Sequence, residues 1–215
     1  MRKKGYSLFL ILFSIMAVLI GIWVVKLVSG NVLYVDQWTR AFVDDLAGSQ
    51  VFIIFRWITE LGSGTFLTPF TIIMAFVLWR LYKELLPAVI FGLGTFSSHL
   101  LNVAIKVLVE RERPSIFAAA DAEGYSFPSG HAMISTVCYG LLSYFIAGKI
   151  KNRRTQYLLH VGFALLILLI GISRYIINVH YLTDVLGGFF FGGICIAVLV
   201  LLYRFVKKKQ EMSPS

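Results

Sequence analysis

The sequence predicts an all-α, polytopic membrane protein with six transmembrane helices and one short interfacial amphipathic helix. Three properties support this fold class: 58% of the 215 residues are hydrophobic, only 14% are charged, and the mean hydropathy is +0.81. A soluble domain carries about 25% charged residues, and a soluble chain of this length has too small an interior to bury so much apolar surface. The composition excludes a disordered chain, a disulfide-rich secreted scaffold and an ordinary cytosolic enzyme.

Six segments have the length and character of membrane spans, because each contains about 20 predominantly apolar residues. The first is interpreted as a retained helix rather than a signal peptide, since its apolar stretch is long and no clear small-x-small cleavage pattern follows. The predicted spans are Tyr6–Val28, Phe66–Leu81, Leu85–Leu108, His131–Ile150, Tyr157–Tyr175 and Thr183–Val206. No second domain or internal repeat is evident, so residues 1–215 are predicted to form a single membrane-embedded domain.

The segment 29–50 predicts a short helix between the first two spans. Its charged residues lie outside the apolar face. The residues on that face are Val35, Trp38, Phe42, Val43 and Leu46. This spacing indicates an amphipathic helix at the bilayer surface, with a helix packed on the bundle as the alternative. Residues 51–61 either lengthen the second span or form a separate turn, and the segment 110–127 is interpreted as a mobile loop.

The net charge of +9 is explained by membrane topology rather than by nucleic-acid binding. With six spans, one side holds both termini and the loops 80–84 and 149–156. That side carries 13 of the 20 Lys and Arg residues and a net charge of +11, whereas the other side carries −2. Because Lys and Arg accumulate in cytoplasmic loops, both termini are predicted to be cytoplasmic. No nucleic-acid partner is therefore expected.

Three polar clusters interrupt the apolar pattern, all on the predicted non-cytoplasmic side. Ionisable residues at membrane depth are costly and therefore mark candidate functional sites. In the first cluster, Lys106 and Arg113 share a helical face if the third span continues that far, and two converging cations suit a phosphate group. Intrahelical ion pairs and contact with lipid headgroups are the structural alternative.

The second cluster, Pro128-Ser129-Gly130-His131, lies at the start of the fourth span. Ser129 is a favourable N-cap and Gly130 permits close approach of the backbone. The free N–H groups at a helix start bind anions, and His131 is placed to donate a proton. Taken alone, these residues also fit an ordinary helix cap with an interfacial histidine.

The third cluster contains Ser173, Arg174, His180 and Asp184. His180 and Asp184 share a helical face if the sixth span begins early enough. A carboxylate that bonds one imidazole nitrogen leaves a lone pair on the other, which is the arrangement of an activated nucleophile. A capped helix start is the alternative. Together the clusters supply the cations, nucleophile and acid that phosphoryl transfer needs.

The ordered pattern Lys-x6-Arg-Pro, Pro-Ser-Gly-His and Ser-Arg-x5-His-x3-Asp resembles the triple signature of the type 2 phosphatidic acid phosphatase family. The pattern spans residues 106–184 without departure. The resemblance implies that His180 is the nucleophile and forms a phosphohistidine, that Asp184 orients it, and that His131 protonates the leaving group. It implies no metal and no other cofactor, and it implies that the phosphate is held by Lys106, Arg113, Ser129, the backbone of Gly130, and Arg174.

The expected protein is therefore a membrane lipid phosphatase with its site at the outer interface of the bilayer. Its size and layout are most similar to bacterial membrane phosphatases of the phosphatidylglycerophosphate type, so that lipid is the favoured substrate. Undecaprenyl pyrophosphate and phosphatidic acid follow, because the motifs bind a phosphate common to all three. A lipid phosphotransferase with the same site is harder to exclude than an anion transporter or a soluble haloperoxidase.

Some polar and reactive residues receive no functional role from the sequence. Glu110, Arg111 and Glu112 lie inside the first motif but are not fixed positions of the pattern. Cys138 and Cys195 lie in apolar runs and are interpreted as small buried hydrophobes, without a disulfide framework or metal cluster. No obligate protein partner is inferred.

Overall fold

The computed structural model describes residues 2–29, 31, 33–44, 46, 49–114 and 124–212, so much of the predicted mobile loop lies outside the described residues. Every regular element within those ranges is a helix, which confirms the predicted all-α class. The helices are α1 (Arg2–Val28), α2 (Tyr34–Asp44), α3 (Gln50–Glu60), α4 (Gly64–Tyr82), α5 (Leu85–Val109), α6 (Gly130–Ala147), α7 (Arg153–Ile176) and α8 (Leu182–Met212).

Five helices, α4 to α8, are long and apolar enough to cross a membrane. They confirm the second to sixth predicted spans, with bounds that differ by a few residues. The first predicted span is also a helix, since α1 extends over 27 residues. The apolar stretch of α1 whose side chains are described, Ser14–Val28, is shorter than a span, and the crossing by α1 stays a prediction.

A tight turn separates α3 from α4, so residues 51–61 form a helix of their own rather than lengthening the second span. Ser63 caps α4 by accepting a hydrogen bond from the amide of Phe66 at 3.2 Å. Gly62 in this turn lies directly against the bundle, because a Cβ atom there would be 2.4 Å from Cγ2 of Ile170. Only glycine fits so close an approach, and the turn is thereby held against α7.

Helix α6 lies at the centre of the bundle, and its side chains Val137, Leu141 and Phe145 are fully buried. It packs closely against α8 through two glycines one turn apart. A Cβ atom on Gly188 would lie 2.8 Å from the carbonyl oxygen of Ser129, and one on Gly192 would lie 2.9 Å from that of Met133. The close helix packing expected of a small-residue pair is therefore present.

One end of the helix bundle carries the basic loops, and the other end carries the three motifs. At one end, Lys207 near the end of α8 forms an ion pair with Glu84 before α5, with Nζ and Oε2 2.6 Å apart. Lys149 after α6 lies over the ring of Tyr82 at 4.0 Å. The basic loops that the sequence assigned to one side therefore meet at one end of the bundle, and the three signature motifs lie at the other.

Helix α2 confirms the predicted short helix, but the predicted placement of its charged residues is wrong for Asp36. Asp36 and Val43 are both buried, with 2% and 1% of their surface exposed, whereas Trp38 is 74% exposed. The physical reason is an ion pair between Asp36 Oδ2 and Arg111 Nη2 at 2.7 Å, which turns the carboxylate towards the bundle. The exposed Tyr34 and Trp38 are the kind of aromatic residues that favour a membrane interface.

Candidate active site

The three motifs meet at one end of the bundle, although they come from separate parts of the chain. Lys106 lies in the last turn of α5, Arg174 in the last turn of α7 and Asp184 in the first turn of α8. The charges of Lys106, Arg113 and Arg174 all act on His131, which is half-buried in the first turn of α6. The structure thus brings the sequence-predicted residues into one cluster.

His180 and Asp184 are paired, but not in the way that their spacing predicted. Helix α8 begins at Leu182, so His180 precedes it and the two residues do not share a helical face. The Asp184 carboxylate instead folds back over the helix start and accepts a hydrogen bond from the amide of Tyr181 at 2.8 Å. This places Asp184 Oδ2 3.4 Å from His180 Nδ1.

The contacts of the His180 ring define which nitrogen carries the proton. Nδ1 faces Asp184 Oδ2 and, at 3.3 Å, the hydroxyl oxygen of Ser126, which itself donates to Asp184 Oδ2 at 2.5 Å. Nε2 lies 3.2 Å from Arg113 Nη1, which can only donate. The proton therefore resides on Nδ1, and Nε2 carries the lone pair.

Burial controls the charge state of this histidine. His180 is only 3% exposed, and desolvation lowers its pKa from 6.5 to about 3, while Asp184 opposes this shift. A neutral imidazole is the nucleophilic form, since protonation would occupy the lone pair on Nε2. His180 is thus neutral at physiological pH.

Arg113 reaches the cluster from outside a helix, so the condition under which it would share a helical face with Lys106 is not met. Helix α5 ends at Val109, and Glu110 adopts a left-handed conformation with φ of 49°. Arg113 Nη1 donates to the carbonyl oxygen of Val179 at 2.8 Å, and its Nε donates to that of Gly124, also at 2.8 Å. Lys106 Nζ donates to the carbonyl oxygen of Tyr125. Both cations are held by backbone carbonyls.

Arg174 and the start of α6 complete the cationic side of the cluster. Arg174 is 8% exposed and donates from Nη1 to the hydroxyl of Thr59 at 3.0 Å, while its buried Nε has no hydrogen-bond partner among the described residues. Ser129 is the N-cap of α6, as predicted, and its amide donates to the carbonyl oxygen of Asp184 at 3.0 Å. The first amides of α6 therefore lie beside the start of α8.

The structure adds a second layer behind Asp184 that the sequence reasoning missed. Arg111, which received no role from the sequence, donates from Nη1 to Asp184 Oδ1 at 2.5 Å and to the hydroxyl of Thr183 at 2.9 Å. Its Nη2 donates to Asp36 on α2. Ser126 is also new to the site. Its position two residues before Pro128 was the only signal in the sequence, and nothing in the sequence pointed to Asp36.

Within the described ranges, no three His, Cys, Asp or Glu side chains are grouped as metal ligands. Apart from the Asp184 carboxylate, the charged groups that act on His180 are the guanidinium groups of Arg113 and Arg174, which suit an anion such as phosphate. The predicted independence from metal ions stays a prediction.

Comparison with known proteins shows which family the chain resembles. Residues 87–210 match the PAP2 superfamily. The chain is 34% identical over 161 residues to phosphatidylglycerophosphatase B of Bacillus subtilis, a match that covers 72% of each chain. It is 26% identical over 135 residues to dolichyldiphosphatase of Saccharomyces cerevisiae, covering 60% of this chain and 56% of that one.

The fold is also that of a solved structure, the crystal structure of a transmembrane PAP2-type phosphatidylglycerolphosphate phosphatase from Bacillus subtilis. The TM-score is 0.76 at 24% identity, over 88% of this chain and 96% of that one. The match spans most of both chains. The chain therefore belongs to the PAP2 superfamily and is a multi-pass, membrane-embedded lipid phosphatase.

Proposed function

We propose that the chain hydrolyses the phosphomonoester of phosphatidylglycerophosphate through a phosphohistidine on His180. The observation that carries this proposal is the arrangement of the His180 ring. Its Nδ1 faces the Asp184 carboxylate at 3.4 Å, and its Nε2 lies 3.2 Å from the Arg113 guanidinium. A nucleophile needs a lone pair on one nitrogen and an orienting group on the other. Here the lone pair on Nε2 accepts a hydrogen bond from Arg113, which would turn to the phosphate oxygens when the substrate binds.

In the proposed first step, Nε2 of His180 attacks the phosphorus atom in line with the leaving oxygen of the lipid. The new N–P bond forms as the P–O bond to the glycerol breaks, and His131 transfers its proton to that oxygen. Asp184 stabilises the positive charge that develops on the imidazole through Nδ1–H. In the second step, His131 accepts a proton from water, which attacks the phosphohistidine and releases inorganic phosphate.

The phosphate oxygens are proposed to be bound by Lys106, Arg113 and Arg174, together with the hydroxyl of Ser129 and the backbone of Gly130. The charge on the transferred group resides mainly on its three equatorial oxygens, so fixed cations stabilise the transition state. Arg174 supports this assignment because its buried Nε lacks a protein partner among the described residues. A buried donor without a partner is costly, and a phosphate oxygen would remove that cost.

Phosphatidylglycerophosphate is the favoured substrate because the relative that shares 34% identity over most of both chains is named for that activity. Undecaprenyl pyrophosphate hydrolysis and lipid phosphotransfer, the alternatives expected from the sequence, are not favoured. The polyprenyl relative matches at lower identity and over a smaller share of the chain. Turnover of phosphatidylglycerophosphate, undecaprenyl pyrophosphate and phosphatidic acid by the purified protein, measured side by side, tests this order. Fastest release of phosphate from undecaprenyl pyrophosphate would contradict it.

We further propose that both termini are cytoplasmic and that the active site faces the outer side of the membrane. The separation of the basic end from the motif end supports this orientation through the positive-inside rule. The test uses a membrane-impermeant maleimide on intact cells, with Glu112→Cys at the motif end and Lys151→Cys at the basic end, both exposed. Only Glu112→Cys should be labelled, and the unsubstituted chain is the control. Selective labelling of Lys151→Cys would reverse the orientation.

A further inference from the structure

A buried chain of charges connects helix α2 with the proposed nucleophile. Arg111 lies between two carboxylates, with Nη2 2.7 Å from Asp36 and Nη1 2.5 Å from Asp184. The side chains of both aspartates are fully buried, and that of Arg111 is 7% exposed. Two buried carboxylates share one guanidinium, so this group of three carries a net charge of −1.

The hydrogen bonds fix this group in one geometry. The hydroxyl of Thr183 donates to Asp36 Oδ2 at 2.5 Å and its amide donates to Oδ1 at 3.1 Å. The Arg111 guanidinium also lies over the ring of Tyr181, 3.9 Å from its centre. Asp36 therefore binds both the guanidinium and the first turn of α8, and Arg111 cannot rotate away from Asp184 without breaking several bonds.

Arg111 in turn determines which oxygen of Asp184 is available to His180. Its Nη1 occupies Oδ1, so Oδ2 is directed towards Ser126, the Tyr181 amide and His180 Nδ1. The negative charge of Asp36 partly offsets the positive charge of Arg111 that acts on Asp184. Without Asp36, the whole guanidinium charge would act on Asp184 and weaken its ability to stabilise a positively charged imidazole.

We propose that Asp36 is a positioning residue for the reaction, acting through Arg111 on Asp184 and thereby on His180. This inference rests on the proposed phosphohistidine mechanism. Asp36 contacts neither the phosphate-binding cations Lys106, Arg113 and Arg174 nor His180 in the described hydrogen-bond network. Its removal should consequently affect the chemical step and leave substrate binding almost unchanged.

The test is Asp36→Asn, combined with Asp184→Asn in a double-mutant cycle. Asp36→Asn removes one of two negative charges around one positive charge and leaves a neutral pair, so the fold is expected to tolerate it. Steady-state assays give kcat and KM, and single turnovers with enzyme in excess give the rates of variants that are too slow for steady state. Glu112→Gln, an exposed acidic residue next to Arg111, is the matched control.

We expect Asp36→Asn to lower kcat by about tenfold with KM changed by less than about twofold. In the Asp184→Asn background the same substitution should change the rate by less than about twofold, because the residue through which Asp36 acts is already altered. Glu112→Gln should behave like the wild type. An equal loss in both backgrounds, or a wild-type kcat for Asp36→Asn, would overturn the proposal.

Asp36→Glu gives a second route if the asparagine variant is not recovered in folded form. It retains the charge but displaces the carboxylate by one methylene group, and its loss of kcat should also vanish in the Asp184→Asn background. A loss that persists there would overturn the proposal. If the wild-type protein has no lipid phosphatase turnover, the proposed function fails instead, so the two failures are distinguishable.

Discussion

The contact between α6 and α8 gives a specific prediction. Both helices begin at the proposed active site, so a change in their separation also moves the residues of that site. Gly188 lies against the first turn of α6, and a Cβ atom there would be 2.8 Å from both the carbonyl oxygen of Ser129 and the Cβ of Ala132. Two of the three close contacts involve backbone atoms, which cannot rotate away. Gly188→Ala must therefore move one helix relative to the other.

The size of this movement follows from the contact distances. Ordinary van der Waals contact begins at 3.4 Å, so contacts at 2.8 Å require a separation of about 0.6 Å. Overpacking of this kind costs about 1–3 kcal/mol of stability. The backbone carbonyl of Asp184 on α8 accepts a hydrogen bond from the Ser129 amide at 3.0 Å, so the same movement displaces Asp184 from the start of α6. A displacement approaching 1 Å in an active site reduces activity by about tenfold or more.

Gly193→Ala is the matched control on the same helix. It is exposed, and a Cβ atom there would meet nothing within 4 Å. Alanine is favoured over glycine in a helix by about 1 kcal/mol, so this variant should be as stable as the wild type or more so. Thermal midpoints in detergent and kcat for lipid phosphate hydrolysis are measured for both. Equal midpoints and equal kcat values for the two variants would refute the packing argument.

Four further predictions concern the charge of His180, the cations, metal independence and a distant cap. Burial lowers the pKa of His180 to about 3. Between about pH 6.5 and pH 3 the unfolded chain therefore binds more protons than the folded chain, and the stability of the fold decreases as the pH falls through that range. The thermal midpoint of His180→Gln should accordingly decrease less than that of the wild type between about pH 7 and pH 5. Arg174→Gln removes a buried cation and should therefore weaken substrate binding, lowering kcat/KM by at least about tenfold in steady-state kinetics. Wild-type kinetics for this variant would exclude Arg174 from the proposed phosphate site. Activity should persist after dialysis against EDTA, and its recovery only on adding a divalent cation would contradict a metal-independent mechanism. Asn152→Ala removes the cap that accepts from the amides of Arg154 and Thr155; it should cost about 1 kcal/mol of stability in thermal unfolding with kcat unchanged.

The sequence predicted those parts of the fold that depend on local pattern. Long apolar segments fixed five spans to within a few residues, because helix length and hydropathy are properties of consecutive positions. The capping role of Ser129 was predicted for the same reason. The position of Arg113 was not, since α5 stops short of it where Glu110 adopts a left-handed conformation that non-glycine residues rarely adopt.

Contacts between distant residues were beyond the reach of these patterns. Asp36 and Arg111 are 75 positions apart, and nothing in the spacing of either segment indicates that they form an ion pair. An amphipathic pattern places a charged residue on the solvent side by default, and here the tertiary pairing with Arg111 reverses that default. The motifs predicted which residues meet at one end of the bundle, whereas the groups that orient them required the three-dimensional structure.

The central claim, that His180 is the nucleophile, is tested most directly by trapping the intermediate. The purified protein is mixed with a lipid phosphate labelled on the terminal phosphate, quenched with alkali and examined for protein-bound phosphohistidine. His160→Ala is the matched control, since this exposed histidine lies about 21 Å along α7 from Arg174. We predict a labelled phosphohistidine in the wild type and in His160→Ala, and neither label nor turnover in His180→Ala. Substantial turnover by His180→Ala would contradict the mechanism.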